Sequence, residues 1–236
     1  KRSAGGMISI ILASCGVVLA LTTVLIGGTE RGREWISGYP LGYKLKGRKL
    51  RSHSLLTVKD GTYNEFVRTL ARSARYTLNK QVDKVLARAN VTVKTVKACG
   101  LSWEHFGVIL SHERRSYGAF KAAVVSSLRF LSSAIMTGFR DEYRVDGKLV
   151  AYSQFIVKGS TLRAMWFYQC QDYARCLIWF HTLRTNVKRG FELKSVHVVD
   201  AGPSGNKDIK ALKTKFGFST IKQWKQECDY EGRFVR

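Results

Sequence analysis

The longest uninterrupted apolar stretch of the chain covers residues 7–28, with the sequence MISIILASCGVVLALTTVLIGG and no charged residue. About 22 helical residues, at a rise of 1.5 Å each, span the roughly 30 Å hydrocarbon layer of a bilayer. The pattern therefore predicts one transmembrane helix within an N-terminal anchor at residues 1–28. A cleaved signal peptide ending near Ala20 and a lipoprotein box at Cys15 are the alternatives that these residues leave open.

Positive charge is concentrated after this span. Only Lys1 and Arg2 precede it, whereas these cations follow it closely: Arg31, Arg33, Lys44, Lys46, Arg48, Lys49 and Arg51. The positive-inside bias predicts a single-pass membrane protein whose following domain lies on the cytosolic, stromal or matrix side, and an organellar membrane is compatible with it. Residues 29–60 are Gly-rich and basic without a clear period. They are predicted to be a connector lying against lipid headgroups, with a plain surface loop as the alternative.

The residues after this connector, 61–236, predict one domain of mixed α and β structure. Apolar positions that recur near a 3.6-residue period predict helices over residues 63–88, 102–115, 119–133, 172–189 and 207–216. Alternating apolar and polar positions predict strands over residues 91–99, 135–145, 148–157, 161–170, 193–199 and 218–224. Asp146-Gly147 is a strong signal for a hairpin turn between the second and third of these strands. The fold class is therefore α+β.

The balance of charge constrains the partners of the protein. Its net charge is +23, from 40 Lys and Arg against 17 Asp and Glu. So many like charges repel one another unless something acidic lies nearby. Nucleic acid, anionic lipid, a nucleotide cofactor and the acidic subunits of a membrane complex all satisfy this requirement, and a merely soluble surface without a partner is the remaining alternative. If the partner carries phosphate, the basic face of the helix over residues 63–88 would bind it. If there is no partner, this face is only solvated.

The cysteines and histidines predict neither a disulfide framework nor a metal site. The five cysteines are odd in number and irregularly spaced: Cys15, Cys99, Cys170, Cys176 and Cys228. No His-Cys or His-Glu cluster has the spacing of metal ligands, so no metal is expected. A reducing compartment is the expected environment.

The order of the elements over residues 135–224, β-β-β-α-β-α-β, resembles the core of the GNAT-superfamily N-acyltransferases. The resemblance extends to the branch that contains the Fem-type aminoacyl transferases and their acetyltransferase relatives. It rests on an aromatic strand at Trp166–Tyr168, a helix ending at Gly190, a strand ending in Asp200-Ala201-Gly202, and Lys215-Phe216-Gly217. It covers residues 100–224, loosely over the first helices, and none of the first 60 residues. It implies a GNAT-like mixed sheet flanked by helices.

The resemblance also implies a donor site between the strands over residues 161–170 and 193–199. In this family the acyl thioester lies between two splayed strands, and its pyrophosphate rests on backbone N–H groups at the start of the next helix. The positions that would bind acetyl-CoA or another acyl-CoA are Trp166, Phe167, Gln171, Ala174 and Arg175. The turn Gln171–Cys176 departs from the family's Gln/Arg-x-x-Gly-x-Gly/Ala pattern at both small positions. Asp172 would repel a phosphate there, and Cys176 would crowd it.

Aminolysis of a thioester requires a base for the incoming amine and a proton donor for the leaving thiolate. Asp200, at the end of its strand, is the candidate base, and Tyr168 or Tyr173 is the candidate donor. Glu142 and His197 are further candidates. The alternatives are that Asp200 is a turn residue and that the tyrosines belong to the core.

Three functions follow as hypotheses. The first is a membrane-anchored N-acyltransferase that moves an acyl group from a CoA-type or aminoacyl donor to an amine. The second is a catalytically degenerate accessory subunit of a large membrane complex, and the third is a basic protein that binds RNA or another nucleic acid. An open cleft between the two splayed strands favours the enzyme, whereas a cleft filled by Trp166 or Tyr168 favours the accessory subunit. A steep loss of affinity with salt would favour the nucleic-acid binder.

Overall fold

The computed structural model describes residues 53–58, 61–98, 100–134, 138–203 and 207–221. The predicted transmembrane anchor at residues 1–28 and most of the predicted connector lie outside these ranges. Within them, no helix combines the length and the apolar character needed to cross a bilayer.

These residues form one seven-stranded sheet with helices on both faces. The strands are β1 (His53–Thr57), β2 (Val91–Lys97), β3 (Phe139–Val145), β4 (Lys148–Lys158), β5 (Thr161–Gln169), β6 (Val198–Pro203) and β7 (Ser219–Ile221). The α-helices are α1 (Tyr63–Thr69), α2 (Arg72–Tyr76), α3 (Val82–Arg88), α4 (Trp103–Arg114), α5 (Ala119–Ala134), α6 (Ile178–Glu192) and α7 (Lys207–Lys215). The strand order is β2-β3-β4-β5-β6-β1-β7, and of these neighbours only β5 and β6 are parallel.

The meander from β3 to β5 was predicted and is confirmed, including its first hairpin. Asp146 and Gly147 both have positive φ, 49° and 79°. This is the backbone that a two-residue hairpin turn requires, because its twist matches that of the flanking strands. The predicted mixed α+β fold is therefore correct for the part of the chain that the structure describes.

The single long helix predicted over residues 63–88 is wrong, because the chain forms three shorter helices there. α1 begins with a capping box in which Thr62 and Glu65 bond to each other's backbone N–H groups, at 2.7 and 3.2 Å. The chain then becomes extended at Leu70, with ψ of 155°, and it passes through a π-helical turn at Thr77–Gln81 before α3. These breaks let the segment bend along α6. Leu70, Ala74 and Leu78 pack into one core cluster, whereas Val82 and Leu86 pack into a second.

One strand was not predicted, and another begins later than predicted. Residues His53–Thr57, which the sequence pattern assigned to the connector, form β1, an interior strand that pairs with β6 on one side and β7 on the other. β6 begins at Val198 rather than at Leu193. Leu193 is 41% exposed, so the residues that precede Val198 do not alternate between a buried and a solvated face.

A β-bulge in β5 determines where the sheet opens. Ala164 pairs with Phe155 and Trp166 pairs with Gln154, so Met165 is one extra residue in β5. The parallel pairing of β5 with β6 runs from Thr161 to Arg163 and ends there. Beyond this point the two strands continue separately, which leaves a gap in the middle of the sheet.

Candidate active site

A cavity of about 120 Å³ occupies the gap between β5 and β6. Its lining residues come from β5 (Ala164, Met165, Trp166, Phe167), α6 (Trp179, Thr182, Leu183, Asn186) and β6 (Val199, Ala201, Gly202). No charged side chain is among them, and the polar side chains of Thr182 and Asn186 are themselves buried. The cavity therefore suits a small, neutral and largely apolar group.

The gap between β5 and β6 therefore contains an unfilled volume. Trp166 and Phe167, both predicted to bind the donor, are part of its wall. Tyr168 does not fill it, because this side chain packs on the opposite face of the sheet with Tyr152 and His112, at ring distances of 5.3 and 5.6 Å.

Asp200 lies on β6 beside three residues that line the cavity, and it is paired with a histidine. The Nδ1 atom of His53 is 3.3 Å from each carboxylate oxygen of Asp200, and the Gly202 N–H donates to Asp200 Oδ1 at 2.8 Å. Both side chains of the pair are buried, 5% and 4% exposed. The pair is therefore a buried imidazole held against a carboxylate, on the strand that forms one side of the cavity.

A buried lysine fixes the end of β6 at the cavity. Lys213 Nζ, from α7, donates to the carbonyl oxygens of Ala201 at 2.7 Å and Gly202 at 3.1 Å. Burial lowers the pKa of Lys213 to about 8, although the Asp200 carboxylate raises it. The Lys213 ammonium group therefore donates to carbonyl groups of β6 in the part of this strand that no longer pairs with β5. Neither His53 nor Lys213 was predicted from the sequence.

The structure does not bring the two candidate proton donors to the cavity wall. Tyr168 is fully buried, and burial raises the pKa of its phenol to about 12, against the opposing effect of the Arg129 guanidinium. Tyr173 is half-buried; it packs beside α3, and its backbone carbonyl accepts a hydrogen bond from the Gln169 side chain.

The other predicted donor-binding residues lie in a 3₁₀ turn, Gln171–Cys176, that precedes α6. The Gln171 N–H donates to Ser111 Oγ at 3.2 Å, and its side chain donates to the Ser111 carbonyl at 3.0 Å. Ala174 and Arg175 are exposed, and none of the three lines the cavity. Leu177, with a φ of 55°, makes the left-handed turn into α6. Their role in donor binding stays a prediction.

Neither Glu142 nor His197 lines the cavity. Glu142 is on β3, which β4 separates from β5, and it accepts hydrogen bonds from His105 Nε2 and Arg140 Nε, both at 3.1 Å. His197 is exposed before β6. In the described ranges, no three His, Cys, Asp or Glu side chains are grouped so that they could hold a metal ion.

Several solved structures are similar to this chain. The crystal structure of FemX aligns with a TM-score of 0.51 and 10% sequence identity, over 79% of this chain and 63% of that chain. The C-terminal domain of a putative lysylphosphatidylglycerol synthetase from Agrobacterium fabrum aligns with a TM-score of 0.46 and 15% identity, over 73% and 58%. A GCN5-related N-acetyltransferase from Kribbella flavida aligns with a TM-score of 0.40 and 13% identity, over 73% and 55%.

The likeness to FemX shows that the described residues have a GNAT-type fold, as the sequence resemblance implied. The chain spans less than two thirds of the length of each of these three proteins. No protein-family model matches the chain, and no curated protein sequence is significantly similar to it.

Proposed function

We propose that this chain is a GNAT-fold acyltransferase that moves an acyl group from a CoA-type or aminoacyl donor to an amine. One observation carries the proposal: the bulge at Met165 and the end of strand pairing at Arg163 open a cavity against β6, the strand that also carries Asp200 and its buried partner His53. A cavity for a reactive group next to an oriented base is the minimum that acyl transfer to an amine requires.

His53 and Asp200 can provide the proton transfers that this reaction requires. A protonated amine has no lone pair for attack, so it first loses one proton to solvent; His53 Nε2 takes the second proton, which the nitrogen must lose for the amide to form, while Asp200 stabilises the imidazolium that results. The amine nitrogen then bonds to the acyl carbonyl carbon, and the bond to the thiolate or alkoxide of the donor breaks. The leaving group takes the proton from His53, which returns the base to its starting state.

The composition of the cavity supports a preference for neutral acyl groups. A cationic group such as a lysyl side chain would find no carboxylate among the lining residues and would be desolvated without a partner. The small cavity volume, about 120 Å³, further favours short acyl groups. Acetyl and small neutral aminoacyl groups are therefore the proposed cargo.

Cations beside the 3₁₀ turn support a donor that carries phosphate, whether coenzyme A or the ribose-phosphate end of a nucleic acid. α3 packs against this turn, where Val82 and Leu86 share a core cluster with Tyr173 and Cys176. The exposed face of α3 carries Lys84 and Arg88, and the turn itself carries Arg175, also exposed. Membrane anchoring through residues 7–28, with this domain on the cytosolic, stromal or matrix side, is part of the proposal and rests on the sequence pattern.

A specific observation favours the accessory subunit as the second candidate. The turn that would hold the donor phosphates is already bonded to α4 through Gln171 and Ser111, and it lacks glycine at the two small positions. A fold that kept its cleft but lost its phosphate site would have this appearance.

The deciding experiment measures thermal unfolding of the full chain with millimolar acetyl-CoA, and with ATP as the control for charge. Specific binding at about 100 times the dissociation constant stabilises a protein by about 2.7 kcal/mol. Ala201→Leu, which fills the cavity, should abolish the shift. An equal shift with ATP, or an unchanged shift in Ala201→Leu, would give first place to the accessory subunit.

Transfer itself is tested with radiolabelled acetyl-CoA, or with a small neutral aminoacyl-tRNA, and a mixture of amine acceptors. His53→Gln and Asp200→Asn should lower the rate by about 10²-fold or more, because each removes the oriented base. The matched control is His197→Gln, an exposed histidine outside the cavity, which should keep full activity. Equal rates in His53→Gln and wild type would contradict the proposed mechanism.

A further inference from the structure

The hairpin of α4 and α5 exposes aromatic side chains to solvent. Phe120 is 85% exposed and Trp103 is 79% exposed, the highest values for large hydrophobic side chains among the described residues. Val124, one turn after Phe120 on α5, is 40% exposed. Leaving two large aromatic side chains in water costs solvation free energy, so their exposure indicates a contact that is made elsewhere.

These side chains form two groups on the hairpin, a cluster of three rings near its open end and a pair, Phe120 and Val124, near its turn. Trp103 lies 5.8 Å from the ring of Phe106 and 6.0 Å from the ring of Phe130, and these two rings are 5.7 Å apart. Phe120 is on the same helix as Phe130, about 15 Å away along its axis at 1.5 Å per residue. We call the five residues that define this surface the aromatic strip: Trp103, Phe106, Phe120, Val124 and Phe130. It extends over most of the length of the hairpin.

Cations accompany the aromatic strip, and the hairpin offers no available carboxylate. Arg114, Arg115 and Lys121 are exposed and have no carboxylate partner in the part of the chain that the structure describes. The two acidic residues of the hairpin are both engaged. Glu104 is 3.0 Å from the Arg144 guanidinium, and the buried Glu113 is 3.2 Å from that of Arg129.

We propose that the α4–α5 hairpin docks on an anionic lipid bilayer, with the aromatic strip in the boundary between headgroups and acyl chains. Exposed aromatic side chains with neighbouring Lys and Arg are the combination that favours this boundary, because the rings leave water while the cations stay with the lipid phosphates. Charge excludes a second copy of the chain as the occupant, since two such faces would oppose cation to cation in a protein of net charge +23. The docking does not depend on the proposed acyl transfer.

The test uses hydrogen exchange of the full chain, read by mass spectrometry for each segment, with vesicles of phosphatidylcholine alone or mixed with phosphatidylglycerol. Because this readout is local, contact of another segment with the same vesicle does not produce the signal. We expect slower exchange across 103–134 with the mixed vesicles and unchanged exchange across α7 and β7. Added salt should weaken the protection, because it screens the cations from the headgroups.

Two variants separate the aromatic strip from general hydrophobicity. Trp103→Ser combined with Phe120→Ser should raise the lipid concentration that gives half of the protection by about tenfold or more. Ile209→Ser, an exposed apolar residue of α7 at 42%, is the matched control and should change nothing. Both substituted residues of the double variant are exposed, so the fold should persist.

Several outcomes would overturn the proposal. They are the absence of protection across 103–134 with mixed vesicles, equal protection in the double variant, and protection that is already complete without vesicles. Protection by an acidic protein but not by the mixed vesicles would assign the surface to a protein partner instead.

Discussion

Arg189 and Asp141 are joined by two hydrogen bonds, Nη1 to Oδ2 at 2.6 Å and Nη2 to Oδ1 at 2.7 Å. The carboxylate is fully buried, and it also accepts a hydrogen bond from Thr95 Oγ1 at 2.7 Å. The guanidinium lies 4.2 Å from the ring centre of Phe155. One ion pair therefore links α6 to three adjacent strands, β2, β3 and β4, and holds the helix whose side chains form one wall of the cavity.

Removing the cation of this pair should destabilise the fold strongly. Arg189→Leu leaves the Asp141 carboxylate buried without its charge partner, which costs about 3–5 kcal/mol of unfolding free energy. Urea denaturation measures the loss. The neighbouring exposed pair of Lys188 and Glu192, at 3.7 Å, provides the control, since Lys188→Leu should cost less than about 1 kcal/mol. Equal losses of unfolding free energy in the two variants would contradict the expectation that a buried ion pair matters more than an exposed one.

Two helical glycines should respond in opposite ways to alanine. A Cβ on Gly190 would lie 2.5 Å from Val199 Cγ2 and 3.2 Å from Val58 Cγ2, so Gly190→Ala must push α6 away from the sheet. We expect a loss of about 1–3 kcal/mol. A Cβ on Gly107 meets no atom within 4 Å, and Gly107→Ala should stabilise α4 by about 0.5–1 kcal/mol. Thermal or urea unfolding measures the stability of both variants. A stabilised Gly190→Ala would contradict the close packing of α6 against the sheet.

Acidification should destabilise the protein through His181. Burial, and secondarily the charge of Arg184, lowers the pKa of His181 to about 4, from 6.5 in an unfolded chain. Between these values the unfolded state binds the extra proton, so this stability is present above pH 6.5 and is lost as the pH falls toward 4. The loss is on the order of 2–3 kcal/mol.

The variant His181→Gln isolates this contribution. It retains a side chain that can bond to the Tyr143 hydroxyl, now 3.0 Å from His181 Nδ1, but it removes the titrating group. Urea unfolding between pH 7 and pH 4 should show a shallower pH dependence for the variant. Parallel curves for the two proteins would show that His181 titrates normally.

Lys213 should produce a pH dependence of the same sign, but at alkaline pH. Its pKa is about 8 in the folded protein, because of burial, and 10.5 in the unfolded chain. Over this interval the unfolded state holds more protons, so unfolding free energy should rise with pH. Lys213→Met keeps the length of the side chain but should remove this rise. It should also destabilise the end of β6, because the Ala201 and Gly202 carbonyls lose their donor. Urea unfolding at pH 7.5 and pH 10 measures both effects, and an unchanged pH dependence in the variant would contradict the assignment.

The sequence predicted the fold well where local signals decide it. The turn at Asp146-Gly147 and the alternating strands that flank it have the same boundaries in the structure within a few residues. It failed over residues 63–88, because nothing local marks the extended residue Leu70. The side chains of Leu70 and Leu78 pack into one core cluster and that of Val82 into a second, and only tertiary packing defines these clusters.

The family resemblance, rather than a local signal, pointed to the residues around the cavity. Trp166 and Phe167 line it, and Asp200 lies on the same strand as three of its lining residues. His53 was missed because β1 has only five residues with little alternation. Its side-chain partner, Asp200, lies 147 residues further along the chain. Lys213 resembles any other lysine of a basic helix until the fold buries it. The placement of Tyr168 depends on the bulge at Met165, which changes the face of every later side chain in β5.

The position of β1 between β6 and β7 has a consequence for the synthesis of the protein. During translation β1 leaves the ribosome before either of its partner strands has been made, and the His53–Asp200 contact must wait for 147 further residues. The meander from β3 to β5 can pair as soon as it emerges, since its contacts are local. The nascent chain therefore carries β1 without a partner strand until β6 has been made, and the contact between His53 and Asp200 depends on this late pairing.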